Sequence, residues 1–369
     1  MFDAPIMKLE DYRNLLDQID NQILTLLQER AAIVKRVGEL KSRTGVERIY
    51  APHREREILS RLEAQNRGQF PSDALHKIYT EIISACRALE RPLSIAFLGP
   101  AGSFGHTAGS HFFGTSVEFI AVTPQPDIFT TVETGRADYG VVAIENSTHG
   151  TVRDVLEMFQ YTSLQICGEC FLPIKQHLLS KSPLTEIKKI YSHPQAFAQC
   201  RQWLGRNVSD VHQIEVSSTS EAAELAASEP NAAAIAGQLA GEIYGLSVVG
   251  ESIMDGPNNT TRFLVIGSHS AAPTGNDRTS IIFSVKDKIG ALWEVLQVLK
   301  NHELNMSKIE SLPSQTKAWE YVFFVDLDGH AEDENVRKAL AEIRELCVMM
   351  KILGTYPIGE QGEEASGKF

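Results

Sequence analysis

The chain has no run of about 18 consecutive apolar residues, so no membrane-spanning helix is expected. It is short of basic charge: 35 Lys and Arg stand against 47 Asp and Glu, for a net charge of −12. That balance argues against nucleic acid or an anionic membrane as partner. The five cysteines are odd in number and scattered, so they make no disulfide framework. Cys167 and Cys170 have CxxC spacing, but they sit in an alternating, strand-like run from Leu164 to Leu172. No second pair completes a zinc site. They read as ordinary strand cysteines, and no metal or cofactor is expected. The first residues lack a basic-plus-apolar leader pattern, so a cytosolic location is expected. Proline is absent between Pro5 and Pro52, and Gly38 is the only glycine between Lys8 and Arg43.

What fills that unbroken stretch is a long amphipathic pattern. Leu9, Tyr12, Leu15, Leu16, Ile19, Ile23, Leu26, Leu27, Val34, Val37 and Leu40 recur at three-and-four spacing, which predicts one helix with a buried face. Arg30 and Lys41 return to within about 20° of the same face, so long side chains there can converge on one ligand. Arg13 lies about 25 Å before Arg30 on a straight helix. It can share that ligand only from a second, antiparallel copy of the helix. From Arg30 to Arg56 there are eight cations (Arg30, Lys35, Arg36, Lys41, Arg43, Arg48, Arg54, Arg56) and three glutamates (Glu39, Glu47, Glu55). A basic patch on an acidic chain fits a small anion. Solvated cations on an ordinary helix are the alternative. Two further helices, from Pro52 and from about Ser72 to Leu89, complete an all-helical region over 1–92. The first helix is too long to bury its face within a unit of this size, which favours an intertwined homodimer.

At 369 residues, 43% hydrophobic and 22% charged, the chain has room for two or three soluble domains. From 93 to 270 a strand, a polar turn and a helix recur. The turns are Gly99-Pro-Ala-Gly-Ser-Phe104, Glu145-Asn-Ser-Thr-His-Gly150, Ser192-His-Pro-Gln195 and Ser218-Thr-Ser220. This reads as α/β with mainly parallel sheets and ligands at the strand ends, in two lobes around a cleft. Asn258-Asn-Thr-Thr-Arg-Phe263 follows. Ala271 to Asp277 is a linker by composition. Strands and helices then alternate as βαββαβ over 278–356, a ferredoxin-like order. The tail, 357–369, is polar, and the residues from Gly359 are expected to lack order.

The motifs together resemble the bifunctional chorismate mutase/prephenate dehydratases, with a C-terminal ACT domain. The match runs in order through Arg13, Arg30, Lys41, Arg54-Glu55, Glu81 to Glu90, the four polar turns, Thr261-Arg-Phe263, Gly290-Ala-Leu292 and Glu310-Ser-Leu-Pro313. The resemblance implies a multidomain chain: an all-α intertwined mutase domain, a two-lobed α/β dehydratase domain like periplasmic binding proteins, and an α+β ACT domain. It implies conversion of chorismate to prephenate and then to phenylpyruvate, without cofactors, with L-phenylalanine as inhibitor and a homodimer or higher assembly. In the mutase, Arg30 and a second copy's Arg13 would clamp carboxylates, Lys41 would donate to the ether oxygen and Glu55 would accept from the ring hydroxyl. Arg54, Cys86 and Glu90 would complete that pocket.

In the dehydratase, Thr261 would face the departing hydroxyl. Arg262 would hold a carboxylate or order the site. Ser103, Asn146, Ser147, Gln195, Ser218, Thr219 and Phe263 would line the cleft. His106, His149 and His193 are alternative acids. Gly290, Ala291, Leu292, Glu310 and Ser311 would hold phenylalanine. There are three departures. Glu90 stands where a glutamine is usual, so it must carry a proton to act. Tyr50-Ala51-Pro52 lacks the family's aspartate. Leu312 replaces an arginine. Two alternatives stay open: the same fold acting mainly on arogenate, and a ligand sensor with no turnover.

Overall fold

The structure is a computed structural model that describes residues 8–44, 52–256, 259–313 and 321–359. Asn258, Tyr50, Ala51 and almost all of the polar tail lie outside the described residues. Among those described, no helix is long and apolar enough to cross a membrane. The chain divides into two compact units. One comprises 1–51, 59–92 and 113–117, and the other 52–58, 93–112 and 118–369.

The first unit is helical. α1 spans Leu9–Thr44, α2 Pro52–Gln65 (its opening residues counting with the second unit) and α3 Ser72–Ala88. α1 packs on α3 through a narrow stripe. Leu27, Arg30, Ala31, Val34, Gly38 and Lys41 are half-buried there. Gly38 lets α1 come close, since a side chain there would meet Glu90 Cγ at 3.0 Å. The rest of the expected apolar face is open: Leu9, Tyr12, Leu15, Leu16, Ile19, Ile23, Leu26, Val37 and Leu40 are 41–67% exposed. Ile83 and Cys86 of α3 are buried, and Arg87 Nη2 donates to Phe113 O at 2.7 Å.

The second unit holds three sheets. In chain order it runs β1 Ser94–Leu98, α4 Phe104–Phe113, β2 Glu118–Val122, α5 Pro126–Glu133, β3 Tyr139–Asn146, β4 Gly150–Thr151, α6 Arg153–Met158 and β5 Gln165–Pro173. Then come β6 His177–Ser180, β7 Lys189–Ser192, α7 Pro194–Gln199, α8 Arg201–Asn207, β8 His212–Glu215, α9 Thr219–Ser228, β9 Ala232–Ala236, α10 Gln238–Tyr244, β10 Ser247–Gly250 and β11 Thr260–Gly267. The C-terminal portion is β12 Asp277–Val285, α11 Ala291–Asn301, β13 Met306–Pro313, β14 Tyr321–Asp328, α12 Glu334–Leu346 and β15 Cys347–Pro357.

The first sheet has the order β2-β1-β3-β11-β5, with β4 on β3, and the second β10-β6-β9-β7-β8. The expectation of mainly parallel sheets needs correction. β11 runs antiparallel to both β3 and β5, and β6 antiparallel to both β9 and β10. The reason is connectivity. The chain leaves the first lobe after β5 and returns after β10, and β6 and β11, the first strands after each crossing, run against their neighbours. The two crossings are tied together, Ile174 N to Asn259 O at 2.7 Å and Ile253 N to Gln176 O at 2.9 Å.

The third sheet, β13-β14-β12-β15, is antiparallel throughout. Its βαββαβ order is the expected one. Side chains alternate across it. Ile281 and Phe283 join the core under α11 and α12, while Ile282, Leu312, Val322, Phe324 and Tyr356 join the core of the first lobe. A sheet buried on both faces is a built-in layer rather than a hanging module. Gly354 marks how close the layers come, because a Cβ there would lie 2.1 Å from Ile166 O.

Candidate active sites

A cleft of about 470 Å³ opens where polar turns from both lobes meet. α4 and α9 begin at it, with Ser103 and Phe104 at one end and Ser218 and Thr219 at the other. No Lys, Arg, Asp or Glu lines the cleft among the described residues. First-turn N–H groups and the helix dipoles make such positions receptive to anions without a formal charge. Apolar side chains such as Leu98, Phe104, Val141, Ile174 and Phe263 make much of the wall, and the polar groups among them are amides, hydroxyls, His149 and His193.

Asn146 and Thr261 face each other across the β3–β11 pair. Asn146 Nδ2 donates to Thr261 Oγ1 at 2.8 Å and to Asn259 Oδ1 at 2.6 Å. Its Oδ1 accepts from Thr148 N at 3.0 Å, Thr148 Oγ1 at 2.6 Å and His149 N at 3.1 Å. Those three donors fix which way the amide points. Thr261 therefore receives a hydrogen bond from Asn146, and its own O–H is left to be donated elsewhere. The hydroxyl belongs to a residue only 8% exposed.

Of the expected dehydratase residues, Ser103, Asn146, Gln195, Ser218, Thr219, Thr261 and Phe263 line the cleft. Ser103 is committed to the fold, since its Oγ donates to Leu98 O at 2.7 Å. Ser218 caps α9 by accepting from Glu221 N at 3.1 Å, which leaves its proton available. Ser147 is not in the lining; it pairs with Thr260 through Ser147 N to Thr260 O at 2.9 Å and Thr260 N to Ser147 Oγ at 3.0 Å. Arg262 is not in the lining either. Thr261 and Phe263 face the cleft, so Arg262 between them projects to the opposite side of the strand.

There Arg262 Nε donates to Glu169 Oε2 at 2.7 Å, Nη1 to Asp326 Oδ2 at 2.5 Å and Nη2 to Tyr356 Oη at 3.1 Å. Arg278 Nη1 reaches Glu169 Oε1 at 2.5 Å. Two cations balance two carboxylates in a buried cluster. Removing one partner from such a cluster leaves an uncompensated charge, at about 3–5 kcal/mol.

The histidines divide. His106 is stacked on Phe97 at 4.8 Å, and its Nδ1 accepts from Gly102 N at 3.1 Å. Burial holds its pKa below the ordinary value, so it is a neutral structural group away from the cleft. His193 Nδ1 accepts from Gln195 N at 3.2 Å, so only its Nε2 can carry a proton in that arrangement. His149 Nδ1 lies 3.0 Å from Asn146 Oδ1.

Several polar lining residues were missed by the sequence reasoning, among them Gln125, Thr151, Gln176, Gln199 and Ser217. Gln176, 3% exposed in the crossing between β5 and β6, has an Oε1 with no partner among the described residues. Cys167 and Cys170 are free thiols, each pushed up to about 12 by burial.

In the helical unit, Lys41 Nζ lies 3.2 Å from Glu90 Oε2, with side chains 31% and 11% exposed. Arg30 is half-buried with a partnerless Nη1. Cys86 is buried and free. Arg13 is exposed and, among the described residues, pairs with Glu10 at 3.7 Å. Arg54 pairs with Glu57 at 2.6 Å beside Glu55 in the opening turns of α2.

Among the effector residues, Gly290 caps α11 at φ +81° and Ala291 is buried. Glu310 Oε2 accepts from Thr151 Oγ1 at 3.0 Å, and Thr151 lines the cleft. Lys308 Nζ, one step back along the same face of β13, lies 2.8 Å from Glu145 Oε2. Leu312 is fully buried in the core that joins the third sheet to the first lobe. An arginine side chain in that apolar position would need a partner for its charge.

Three family models match in succession: "Chorismate mutase type II" over residues 12–91, "Prephenate dehydratase" over 95–271 and "ACT domain" over 279–345. A relative from Aquifex aeolicus named bifunctional chorismate mutase/prephenate dehydratase is 47% identical, covering 95% of this chain and 98% of the relative. One of the same name from Neisseria gonorrhoeae is 44% identical over 94% and 96%. A solved prephenate dehydratase from Arthrobacter aurescens, in complex with L-Phe, superposes with a TM-score of 0.66 at 32% identity, covering 72% of this chain and 90% of that one. On identity over almost its whole length, with each of the three domains matched in order, the chain belongs to the bifunctional chorismate mutase/prephenate dehydratase family.

Proposed function

We propose that the helical unit rearranges chorismate to prephenate and that the cleft then converts prephenate to phenylpyruvate, under inhibition by L-phenylalanine, in the cytosol. The Asn146–Thr261 pair in an uncharged cleft carries this reading. In the dehydration, the bond from ring carbon to carboxylate breaks and CO2 leaves. The electron pair enters the ring, and the C–O bond to the ring hydroxyl breaks. Aromatisation drives the step. A threonine O–H is too weak an acid to lose its proton outright. It serves as a fixed donor whose hydrogen bond strengthens as charge builds on the departing oxygen, and the oxygen takes a proton to leave as water. The helix starts at α4 and α9 hold the two carboxylates. Among the described residues the lining offers no carboxylate to an ammonium group, which favours prephenate over its amino counterpart arogenate.

The mutase step needs no bond to the protein. The site holds a compact conformer and stabilises charge on the ether oxygen. Lys41 and a protonated Glu90 donate to that oxygen. Glu90 Oε2 accepts from Lys41, which leaves Oε1 to carry the proton. Arg30 has a free N–H for a carboxylate, and Arg13 comes from a second copy. The open apolar row on α1 supports that dimer, since each such side chain gains about 1.5–3 kcal/mol on full burial. Phenylalanine is the effector, which the Arthrobacter complex with L-Phe supports, and Gly290, Ala291, Leu292, Glu310 and Ser311 are assigned to hold it.

The test is Thr261→Ala in the full chain. Phenylpyruvate formation from prephenate should fall by about 100- to 1,000-fold, as when one transition-state donor is removed. Prephenate formation from chorismate should be unchanged. Dehydratase activity retained within about threefold, the scatter expected of a change away from the chemistry, would refute the assignment.

A further inference from the structure

Arg262 stands next to Thr261 yet points away from the cleft, into a cluster built from three strands of the C-terminal sheet and one of the first lobe. Asp326 of β14, Ser280 of β12 and Tyr356 of β15 face Glu169 of β5 there. Each oxygen of Asp326 is used: Oδ2 by Arg262 at 2.5 Å and Oδ1 by Ser280 Oγ at 2.6 Å. Ser280 Oγ also meets Tyr356 Oη at 2.6 Å. Glu169 Oε2 takes Arg262, and Arg278 Nη1 reaches both Glu169 oxygens, at 2.5 and 2.7 Å. The Glu169 and Asp326 side chains have no exposure, and those of Arg262 and Arg278 have 6% and 10%.

A guanidinium held at both edges by fixed carboxylates has one rotamer and one height along its strand. Strand neighbours share that height. The Thr261 hydroxyl, on the next residue, is thereby held where Asn146 reaches it.

We propose that Arg262 is a positioning residue for the dehydratase step: through Asp326 and Glu169 it fixes β11, and with it the Thr261 hydroxyl, so that the C-terminal sheet is a working part of the dehydratase. Arg262 then makes no contact with prephenate. The inference rests on the dehydratase reading above. A shift of about 1 Å in a catalytic donor can cost on the order of 100-fold in turnover, so a small slackening of this clamp should be visible in kcat.

The test uses the full chain and two variants. Asp326→Asn keeps shape and removes one charge. Ser280→Ala leaves every charge and removes one hydrogen bond to Asp326. With prephenate as substrate, kcat should fall about 10- to 100-fold in Asp326→Asn and about 3- to 10-fold in Ser280→Ala. KM for prephenate should stay within about threefold in both, since the cleft lining is untouched. Mutase activity on chorismate, measured on the same samples, reports that the molecule is folded. If Asp326→Asn does not fold, the Ser280→Ala result stands alone.

A rise in KM with kcat unchanged would place Arg262 on the substrate and overturn the proposal. So would unchanged kcat in a variant whose thermal stability alone has dropped. Absence of dehydratase turnover in the unaltered protein would instead sink the underlying reading, which separates the two failures.

Discussion

The helical unit and the cleft are read as handling the same kind of ligand, a small dianion, by opposite means. The helical unit offers full charges: Lys41 beside Glu90, Arg30 with a free N–H, and Arg13 out in solvent. Among the described residues the cleft offers no Lys, Arg, Asp or Glu; its polar groups are amides, hydroxyls, two histidines and two helix starts. Each choice suits its chemistry. A rearrangement that builds negative charge on one oxygen gains from a cation beside it. A reaction that expels CO2 would be held back by a cation gripping the carboxylate that must lose its charge to the ring. The two regions also differ in completeness. The described cleft lining comes from one chain, whereas α1 leaves its apolar row and Arg13 open, and the function proposed above has a second copy finish the mutase pocket.

Charge removal should break this contrast most sharply. Lys41→Ala should lower mutase turnover by about 100- to 1,000-fold, the loss typical of a transition-state donor. Phenylpyruvate formation from supplied prephenate should stay unchanged, and a matched loss in both activities would erase the distinction between the regions. A smaller effect should come from Glu90→Gln, which puts an amide N–H donor beside Lys41. Mutase turnover should stay within about tenfold of the unaltered protein, and a loss as large as that of Lys41→Ala would remove the donor role from Glu90. Salt should have the smallest effect. Raising ionic strength from about 0.05 to 0.5 M screens exposed charges, so KM for chorismate should rise a few-fold. KM for prephenate should barely move, and an equal rise in both would mean that the cleft, too, relies on cations.

Much of the cleft was legible because its residues sit in polar turns at strand ends, where an α/β fold must place ligands. Ser103, Gln195, Ser218 and Thr219 were assigned from the family resemblance, and each lies in such a turn. Arg262 was left with two roles, holding a carboxylate or ordering the site, because a motif is read as a block, whereas a strand alternates. Period two sends the middle residue of Thr261-Arg262-Phe263 to the other face. The clamp around it had a signal of its own. Glu169 is the one acid of β5 and Asp326 follows the apolar run Tyr321 to Val325 in β14, and a charge in such a setting needs a buried partner. Their partner could not be named, because the pairing joins strands more than sixty positions apart in the chain.

Gln176 carried no signal, since it lies in a crossing that repeats no pattern. The mainly parallel sheets were misjudged for a related reason. Strand-turn-helix repeats reveal the parallel strands but not the two, β6 and β11, laid down after each passage between lobes. The long helix was the reverse case. Its period was plain, yet the face it defines is covered only in a narrow stripe by this chain.

The most direct measurement follows chorismate through the purified full-length protein, recording prephenate and phenylpyruvate over time with and without L-phenylalanine. Phenylpyruvate should accumulate after a transient of prephenate, and phenylalanine should suppress that second product. Prephenate that accumulates and goes no further would contradict the account at the cleft, and no turnover of chorismate would contradict it at the helical unit.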